Sequence, residues 1–328
     1  MKKIGCVTRY SLALFLSLGL SLSVQAQTNK WPDKPINMIV GFPAGGPTDL
    51  AARTLAPALQ AALGQNIIVE NKPGATGTIA GALVKRAAAD GYTLFVSSIG
   101  TFVVAPHLIK SVTYDPIADF DYISLPFQAP NVLVTGPARP ERTIAEVLTA
   151  LKNNPGKLTF ASSGVGASDH LSAELLWQQT NTTGVHVPYK GGGPAAADVM
   201  AGHVDMYFAT VLESLGAVKT GKFTALGVST LTRSPALPEL PTIAESGVPG
   251  YDSGSWIGVV APAGTPVAII DKVANDMREV IAEPETRQTL IQQGATPLSL
   301  SPAAFKARID NDRQRYSKVI QDANIQIE

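Results

Sequence analysis

Apolar and polar positions in the first half of the chain alternate between strand and helix patterns. The β-branched run from Ile36 to Gly41 is typical of a buried strand, and leucines recur at helical spacing between Thr48 and Leu63. Further strands are predicted at 67–70 and 92–96, and an alanine-rich helix at 76–89. Strands that alternate with helices predict parallel β-α-β units with helices on both faces of a sheet.

The same alternation resumes after Pro130. We expect strands at 132–134, 158–161, 185–187, 204–208 and 225–229, with helices at 143–152, 168–179 and 194–201. Frequent prolines between Pro235 and Pro249 indicate an irregular surface segment. A strand at 256–260 and helices at 266–281, 285–293 and 302–324 complete the pattern.

This order predicts an α/β fold of two lobes, each a mostly parallel sheet flanked by helices. Lobe 1 comprises residues 27–128 and 255–328, and lobe 2 comprises residues 129–254. The chain then crosses between the lobes twice, and two crossings form a hinge that can close around a ligand. Ligands of open parallel sheets bind beyond the carboxyl ends of the strands, so the loops after Val40 and Val96 should lie near the site.

Two glycine-rich turns, each between a predicted strand and a predicted helix, are the most informative motifs. The first spans 41–49 (GFPAGGPTD) and the second spans 161–169 (ASSGVGASD). A helix N-terminus has free backbone N–H groups and the positive end of the helix dipole, so such a turn can hold an anion without a cationic side chain. Two such turns indicate a cleft that binds a carboxylate from both sides.

The N-terminal residues 1–26 have the pattern of a secretory signal peptide. A basic start is followed by an apolar stretch at 11–24 and by the small-residue cleavage pattern Val24-Gln25-Ala26. An uncleaved anchor is the alternative, but no stop-transfer pattern follows. Export to the periplasm is therefore expected. Cys6 is the single cysteine, so the mature chain has none, which excludes disulfides, a catalytic thiol and a cysteine-based zinc site.

Composition excludes several classes of partner. Without Lys2, Lys3 and Arg9, the chain has 23 basic and 26 acidic residues, a formal charge of −3. No basic footprint for nucleic acid remains, and no basic amphipathic helix is suited to a membrane surface. The apolar content of 45% favours a well-packed globular protein. We expect no cofactor and no metal, and a monomer.

Enzyme motifs are missing from the sequence. The second turn lacks the Gly-x-Ser-x-Gly pattern of a nucleophile elbow, and no phosphate loop or full dinucleotide fingerprint occurs. His170 lies two residues after Ser168 on the same predicted helix, and residues at that spacing do not face each other. A hydrolase is therefore disfavoured. We expect a binding protein rather than an enzyme.

Several short motifs, in order and at consistent spacing, resemble the Bug-type substrate-binding proteins of tripartite tricarboxylate transporters. They extend over nearly the whole mature chain: 31–35 (WPDKP), 41–46 (GFPAGG) with Asp49, 69–75 (VENKPGA), 90–94 (DGYTL), 187–191 (VPYKG), 202–206 (GHVDM), 241–247 (PTIAESG) and 261–266 (APAGTP). The resemblance implies a two-lobe "flytrap" of the periplasmic-binding-protein type. It also implies capture of a small organic carboxylate and delivery to the membrane subunits of the transporter.

In that family, backbone amides and hydroxyls of a turn in each lobe hold the carboxylate. Transferred to this chain, the resemblance implies the ligand residues Phe42, Ala44, Gly45, Gly46, Thr48, Ser98, Thr101, Ser162, Ser163 and Ser168. Pro47 follows the Gly-Gly pair where the family often has Ser or Thr, and it removes one backbone donor. The run 191–194 (GGGP) has a glycine where a serine is frequent. Both differences leave the identity of the ligand open.

Some residues have alternative roles at this stage. Ser168 can cap its helix or donate its hydroxyl to the ligand. We expect Asp49 to complement the helix dipole rather than contact an anion, which its carboxylate would repel. Asp205 is a candidate ligand residue if the solute is an amino acid with an ammonium group, whereas a metal pair with His203 lacks a third ligand. The partner of the closed form is a transporter or, alternatively, a membrane sensor, since both would use the same ligand chemistry.

Overall fold

The computed structural model describes residues 31–326, so the predicted signal peptide at 1–26 lies outside the described residues. The chain forms two lobes, each built on one sheet with helices packed against it, as the sequence predicts. Among residues 31–326, no helix has both the length and the apolar character that crossing a membrane requires.

Strands and helices follow one another through both lobes. The strands are β1 (Ile36–Val40), β2 (Ile67–Asn71), β3 (Thr93–Ser98), β4 (Phe120–Ala129), β5 (Asn131–Thr135), β6 (Thr159–Ser162), β7 (Val185–Pro188), β8 (Met206–Thr210), β9 (Thr224–Val228), β10 (Ser255–Pro262) and β11 (Thr296–Leu300). The helices are α1 (Pro47–Leu63), α2 (Thr78–Val84), α3 (Ala105–Leu108), α4 (Ile144–Asn153), α5 (Ser168–Thr180), α6 (Gly192–Ala201), α7 (Val211–Lys219), α8 (Val267–Ala282), α9 (Pro284–Gln292) and α10 (Pro302–Asp322). A π-helical turn at Gly100–Val104 precedes α3.

Both sheets are mixed rather than mostly parallel. The first has the order β11-β4-β10-β3-β1-β2, and the second has the order β7-β6-β8-β5-β9. Strand β1 is parallel to β2 and β3, but β10 is antiparallel to both β3 and β4. The difference has a simple reason: β4 leads the chain out of the first lobe and β10 leads it back, so these neighbours run in opposite directions. Strand β5 enters the second lobe and is likewise antiparallel to β8 and β9.

Strand β4, which lies between β11 and β10 in the first sheet, was not predicted. With ten residues it is the longest strand described, and all but two of its side chains are buried. Its sequence FDYISLPFQA contains a proline and no clean alternation, which conceals it from a search for period-two patterns. Strand β11 and helix α7 were also missed.

The crossings between the sheets lie side by side. Pro130 alone separates β4 from β5, and the return follows a long irregular segment that ends at Gly254. Ser229 joins the two paths, because its hydroxyl accepts from the Asn131 amide at 3.0 Å and donates to the Ser253 carbonyl at 2.8 Å. The predicted bounds at residues 129 and 254 remain a prediction.

Helix α10, which follows the second crossing, packs on both lobes. Its Phe305 ring meets Trp256 of β10 edge to face at 5.4 Å between centroids. Tyr316, further along α10, lies 3.3 Å from the Ser253 hydroxyl, which in turn is 2.7 Å from Ser172 of α5. A buried polar network therefore links the hinge to a helix of each lobe.

Candidate functional site

A cavity of about 670 Å³ lies between the lobes, within the size range of small-molecule sites. Its walls come from the turns that follow β1 and β6, from the end of β3, and from the starts of α1, α5, α6 and α7. The two glycine-rich turns that the sequence singles out therefore border the same space, one from each lobe.

Asp49 shapes the turn of the first lobe. Its buried carboxylate accepts the Gly45 amide at 2.9 Å, the Asn71 side-chain amide at 2.8 Å and the Arg53 guanidinium at 3.0 Å. Burial raises the pKa of Asp49, but these hydrogen bonds and the Arg53 charge outweigh it and hold the pKa below its usual value. Gly45 has φ +80°, a conformation that residues other than glycine rarely adopt. Gly45 and the Asp49 carboxylate together therefore define the turn.

Asp169 stabilises the corresponding turn of the second lobe. Its carboxylate accepts the Ser163 amide at 2.7 Å and the His170 amide at 2.7 Å. The next residue adds a further contact, because Nδ1 of His170 accepts the Gly166 amide at 3.1 Å. Several amides of this turn are therefore occupied by the protein's own side chains and are not available to a ligand.

The amides that remain include those of the first turns of α1 and α5. Within the described chain, the backbone N–H groups of Thr48 and Asp49 in α1, and of Ser168 and Asp169 in α5, donate to no other residue. All of these residues except Asp49 line the cavity. Hydroxyl groups of Ser98, Thr48 and Ser168 accompany them, so both lobes offer uncharged donors to an anion.

Positive side chains do not line the cavity. Of the described residues around it, none is Lys, Arg or His, and the two ionisable ones, Asp169 and Glu213, are acidic. Burial raises the pKa of Asp169 against the opposing bonds from Ser163 and His170. Glu213 is exposed to the cleft, which is itself surrounded by protein. Desolvation and the charge of Asp169 raise the pKa of Glu213, although the side-chain hydrogen bond with Thr210 opposes this shift.

Six of the predicted ligand residues line the cavity: Phe42, Gly46, Thr48, Ser98, Ser163 and Ser168. Phe42 is partly exposed at the end of β1, where its ring can pack on the carbon skeleton of a ligand. Trp256 of β10 is fully buried and donates its indole N–H to Asp312 at 2.8 Å, so it belongs to the core.

Four predicted residues lie beside the cavity without lining it. Ala44 and Gly45 are on the outer, exposed side of the first turn. Thr101 is fully buried and donates to the Thr76 carbonyl at 2.9 Å, and Ser162 is fully buried with its hydroxyl 2.6 Å from Nε2 of His186. These two hydroxyls support neighbouring turns from behind and do not line the cavity.

Asp205, a candidate ligand residue, does not lie at the cavity. It precedes β8, whereas the cavity lies at the other end of that strand, beside Thr210. Its carboxylate is held by Arg139 at 3.0 Å and by the amide and hydroxyl of Thr159 at 2.8 Å. Asp205 therefore joins two strands and the Arg139 loop, and it does not line the cavity.

The capping role expected of Ser168 is also wrong. The N-cap of α5 is Ala167, and no side chain caps it, so Ser168 is the first helical residue and its hydroxyl is free to face the cavity. Gly192, Thr210 and Glu213 also line the cavity, although the sequence patterns do not single them out as ligand residues. Thr210 and Glu213 have the spacing of a capping pair, and the Thr210 hydroxyl accepts the Glu213 amide at 3.2 Å, so the start of α7 could have been recognised.

A pair of stacked histidines supports the second turn from behind. The rings of His170 and His186 are 3.6 Å apart between centroids and nearly parallel, at 10°. Burial and the proximity of His170 lower the pKa of His186 to about 4. A neutral His186 ring therefore accompanies the folded turn at neutral pH.

The family model of the tripartite tricarboxylate transporter family receptor, TctC, matches residues 51–325. Protein BugT of Bordetella pertussis is 34% identical over 310 residues, which cover 94% of this chain and 94% of BugT.

Two solved structures of similar proteins contain carboxylates. R. palustris Rpa4515 with adipate is 32% identical with a TM-score of 0.79, over 90% of this chain and 99% of that one. MatC from Rhodopseudomonas palustris, with bound malate, is 30% identical with a TM-score of 0.74, over 88% of this chain and 100% of that one. The chain belongs to the TctC family of tripartite tricarboxylate transporter receptors, among its Bug-type members.

Proposed function

We propose that the protein is a periplasmic receptor that captures a small organic carboxylate between its lobes and delivers it to a tripartite tricarboxylate transporter. The observation that carries this proposal is the pair of helix N-termini, α1 from one lobe and α5 from the other, whose unoccupied amides border one cavity without a basic side chain. Partial positive charges on such amides stabilise an anion.

The chemistry suits a transport receptor. Hydrogen bonds from uncharged amides to a carboxylate are charge-assisted and give affinity, while a full buried ion pair is avoided and release remains possible. The relatives with adipate and malate support the carboxylate class. Membership of the receptor family supports the transporter as the partner, since a receptor closed around its solute presents a different surface from an open one.

The test is isothermal titration calorimetry of the purified protein against mono-, di- and tricarboxylates of two to eight carbons. Ser98→Ala and Ser168→Ala each remove one cavity hydroxyl, one per lobe. Because a hydrogen bond to a charged group contributes about 1.5 kcal/mol or more, each variant should bind the best acid roughly tenfold more weakly.

Ser317→Ala on α10, outside the cavity, is the matched control and should bind as the parent does. Tight binding of a neutral sugar with no response to any acid would refute the proposal. So would an acid whose affinity is the same in Ser98→Ala, Ser168→Ala and the parent.

A further inference from the structure

One side of the cavity is apolar. It is formed by the segment that follows β3, whose lining residues are hydrocarbon side chains and one glycine: Ile99, Gly100, Val104, Ala105 and Ile109. After Ser98, at the end of β3, no lining residue of this segment has a polar side chain. Part of the segment is the π-helical turn at Gly100–Val104, a rare conformation that occurs frequently at functional sites. A solute between the lobes therefore meets hydrocarbon on this side, which we call the apolar wall.

Val165 adds an apolar side chain from the second lobe. In its turn the Ala167 amide donates to the Gly164 carbonyl at 3.2 Å, and Gly166 has φ +76°. A hydrogen bond across four residues, with a positive φ at the third, is characteristic of a type II turn, in which Val165 is the second residue. Val165 lines the cavity and is 39% exposed. The turn therefore presents a valine to the cleft rather than to the core.

Phe42 supplies an apolar group from the first lobe. It follows β1, is partly exposed and lines the same cavity. Because Phe42 and Val165 belong to different lobes, closure of the cleft around a solute removes both from water, together with the part of the solute that they touch. Burial of apolar surface favours binding in proportion to the area that is covered.

The starts of α6 and α7, which also border the cavity, are poorly suited to a second anion. A Cβ atom at Gly192 would stand 2.8 Å from Oε2 of Glu213, so a carboxylate of the protein lies beside the start of α6. At the start of α7, the Glu213 amide donates to the Thr210 hydroxyl at 3.2 Å. Among the described residues that line the cavity, none has a side-chain nitrogen. A second carboxylate on the solute would therefore meet no positive side chain, and at α6 an ionised Glu213 would repel it.

We propose that the solute is a monocarboxylate with an apolar body. Its single charged end lies at the starts of α1 and α5, and its body is held between Phe42, Val165 and the apolar wall. The inference rests on the proposed function and names its class of solute. A volume of about 670 Å³ is far larger than one carboxylate group fills, so most of the cavity is left for the body. Such a solute places hydrocarbon against hydrocarbon and brings no second charge toward Glu213.

The test measures affinity against chain length by isothermal titration calorimetry, with competition for weak ligands. The ligands are unbranched alkanoates from acetate to octanoate and the dicarboxylates with the same numbers of carbons. Each buried methylene should strengthen binding of the alkanoate roughly threefold, until the cavity is full. The alkanoate that binds best should bind at least tenfold more tightly than the dicarboxylate with as many carbons.

A matched pair of valines tests the place of the body. Val165→Thr replaces one methyl group by a hydroxyl at nearly constant volume, so it should weaken the longest alkanoates severalfold while changing acetate little. The increase in affinity per methylene should therefore be smaller in this variant. Val185→Thr is the control, because Val185 lies on β7 of the same lobe, is 40% exposed and does not line the cavity. It should keep the chain-length dependence of the parent.

Each contrary result has a distinct meaning. If dicarboxylates bind as tightly as alkanoates of equal length, or if affinity does not rise with chain length, the apolar body is refuted while carboxylate capture stands. An unchanged chain-length dependence in Val165→Thr refutes the contact assigned to Val165. If no carboxylate of either series binds, the proposed function itself fails.

Discussion

At the scale of residues, the two ligand turns share one device: an aspartate of the helix's first turn accepts an amide of the turn before it. Asp49 does so for Gly45, and Asp169 does so for Ser163. One amide of each turn is therefore hydrogen-bonded to an aspartate and stabilises the turn. Only amides without such a partner can donate to a solute. The second turn depends in addition on the histidine pair behind it.

His186 should make the stability of the protein depend on pH. Because its pKa is about 4 in the folded protein and about 6.5 when unfolded, the unfolded state binds the proton first as the pH falls. The free energy of unfolding should then decrease between pH 6.5 and pH 4, by at most roughly 3 kcal/mol from this group. Above pH 6.5 the ring is neutral in both states and contributes no pH dependence.

Urea unfolding of the parent and of His186→Gln at pH 7 and pH 4.5 measures the effect. The variant cannot take up the proton, so its stability should fall less over this interval. An equal fall in both proteins would show that His186 does not titrate in this way.

At the scale of elements, the close approach of β10 to α10 holds the first lobe together. A Cβ atom at Gly258 would lie 2.2 Å from the Phe305 ring. The strand and the helix are therefore in contact through a glycine, and the ring fills the space that a side chain would need. The sequence shows the glycine but not its partner, which lies 47 positions later in the chain.

Gly258→Ala should lower the free energy of unfolding by about 2 kcal/mol, because Phe305 has to leave its rotamer or the helix has to shift. Gly216→Ala is the matched control: it lies within α7, has open space around it, and should be neutral or stabilising by up to about 1 kcal/mol. Denaturant unfolding distinguishes the two. Equal stability of Gly258→Ala and the parent would refute the proposed tight contact.

At the scale of the whole molecule, hydrogen bonds connect the hinge to the ligand cavity. Ser172 of α5 accepts from the Asn131 side chain beside the first crossing at 2.9 Å and donates to the carbonyl of Ser168, the first residue of α5, at 2.7 Å. A solute bound at the start of α5 therefore acts on a helix that is hydrogen-bonded to both crossings. Contacts from both lobes favour the closed form over the open one.

Small-angle X-ray scattering should detect this closure. Saturation with the acid that binds best should decrease the radius of gyration, because only a closed cleft brings the amides of α1 and α5 to the same carboxylate. A neutral sugar of equal size should leave the scattering unchanged. A profile that is identical with and without the bound acid would contradict ligand-driven closure.

Sequence and structure contributed different parts of this picture. Local chemistry determined the two glycine-rich turns, the helices that follow them and the alternation that makes two α/β lobes, because these depend on residues close together in the chain. Of the residues that line the cavity, the resemblance to the Bug-type family implied Phe42, Gly46, Thr48, Ser98, Ser163 and Ser168, and their contact with a ligand stays a prediction.

Only the tertiary structure decided the rest. The antiparallel centre of the first sheet follows from where the chain leaves and re-enters that lobe, and no local pattern records this. Asp205 precedes β8 and therefore lies at the end of that strand opposite the cavity, and the partners that hold it, Arg139 and Thr159, are distant in sequence. Glu213 and Gly192 meet only because α6 and α7 start at the same edge of the second sheet, which brings residues from separate segments to one wall of the cavity.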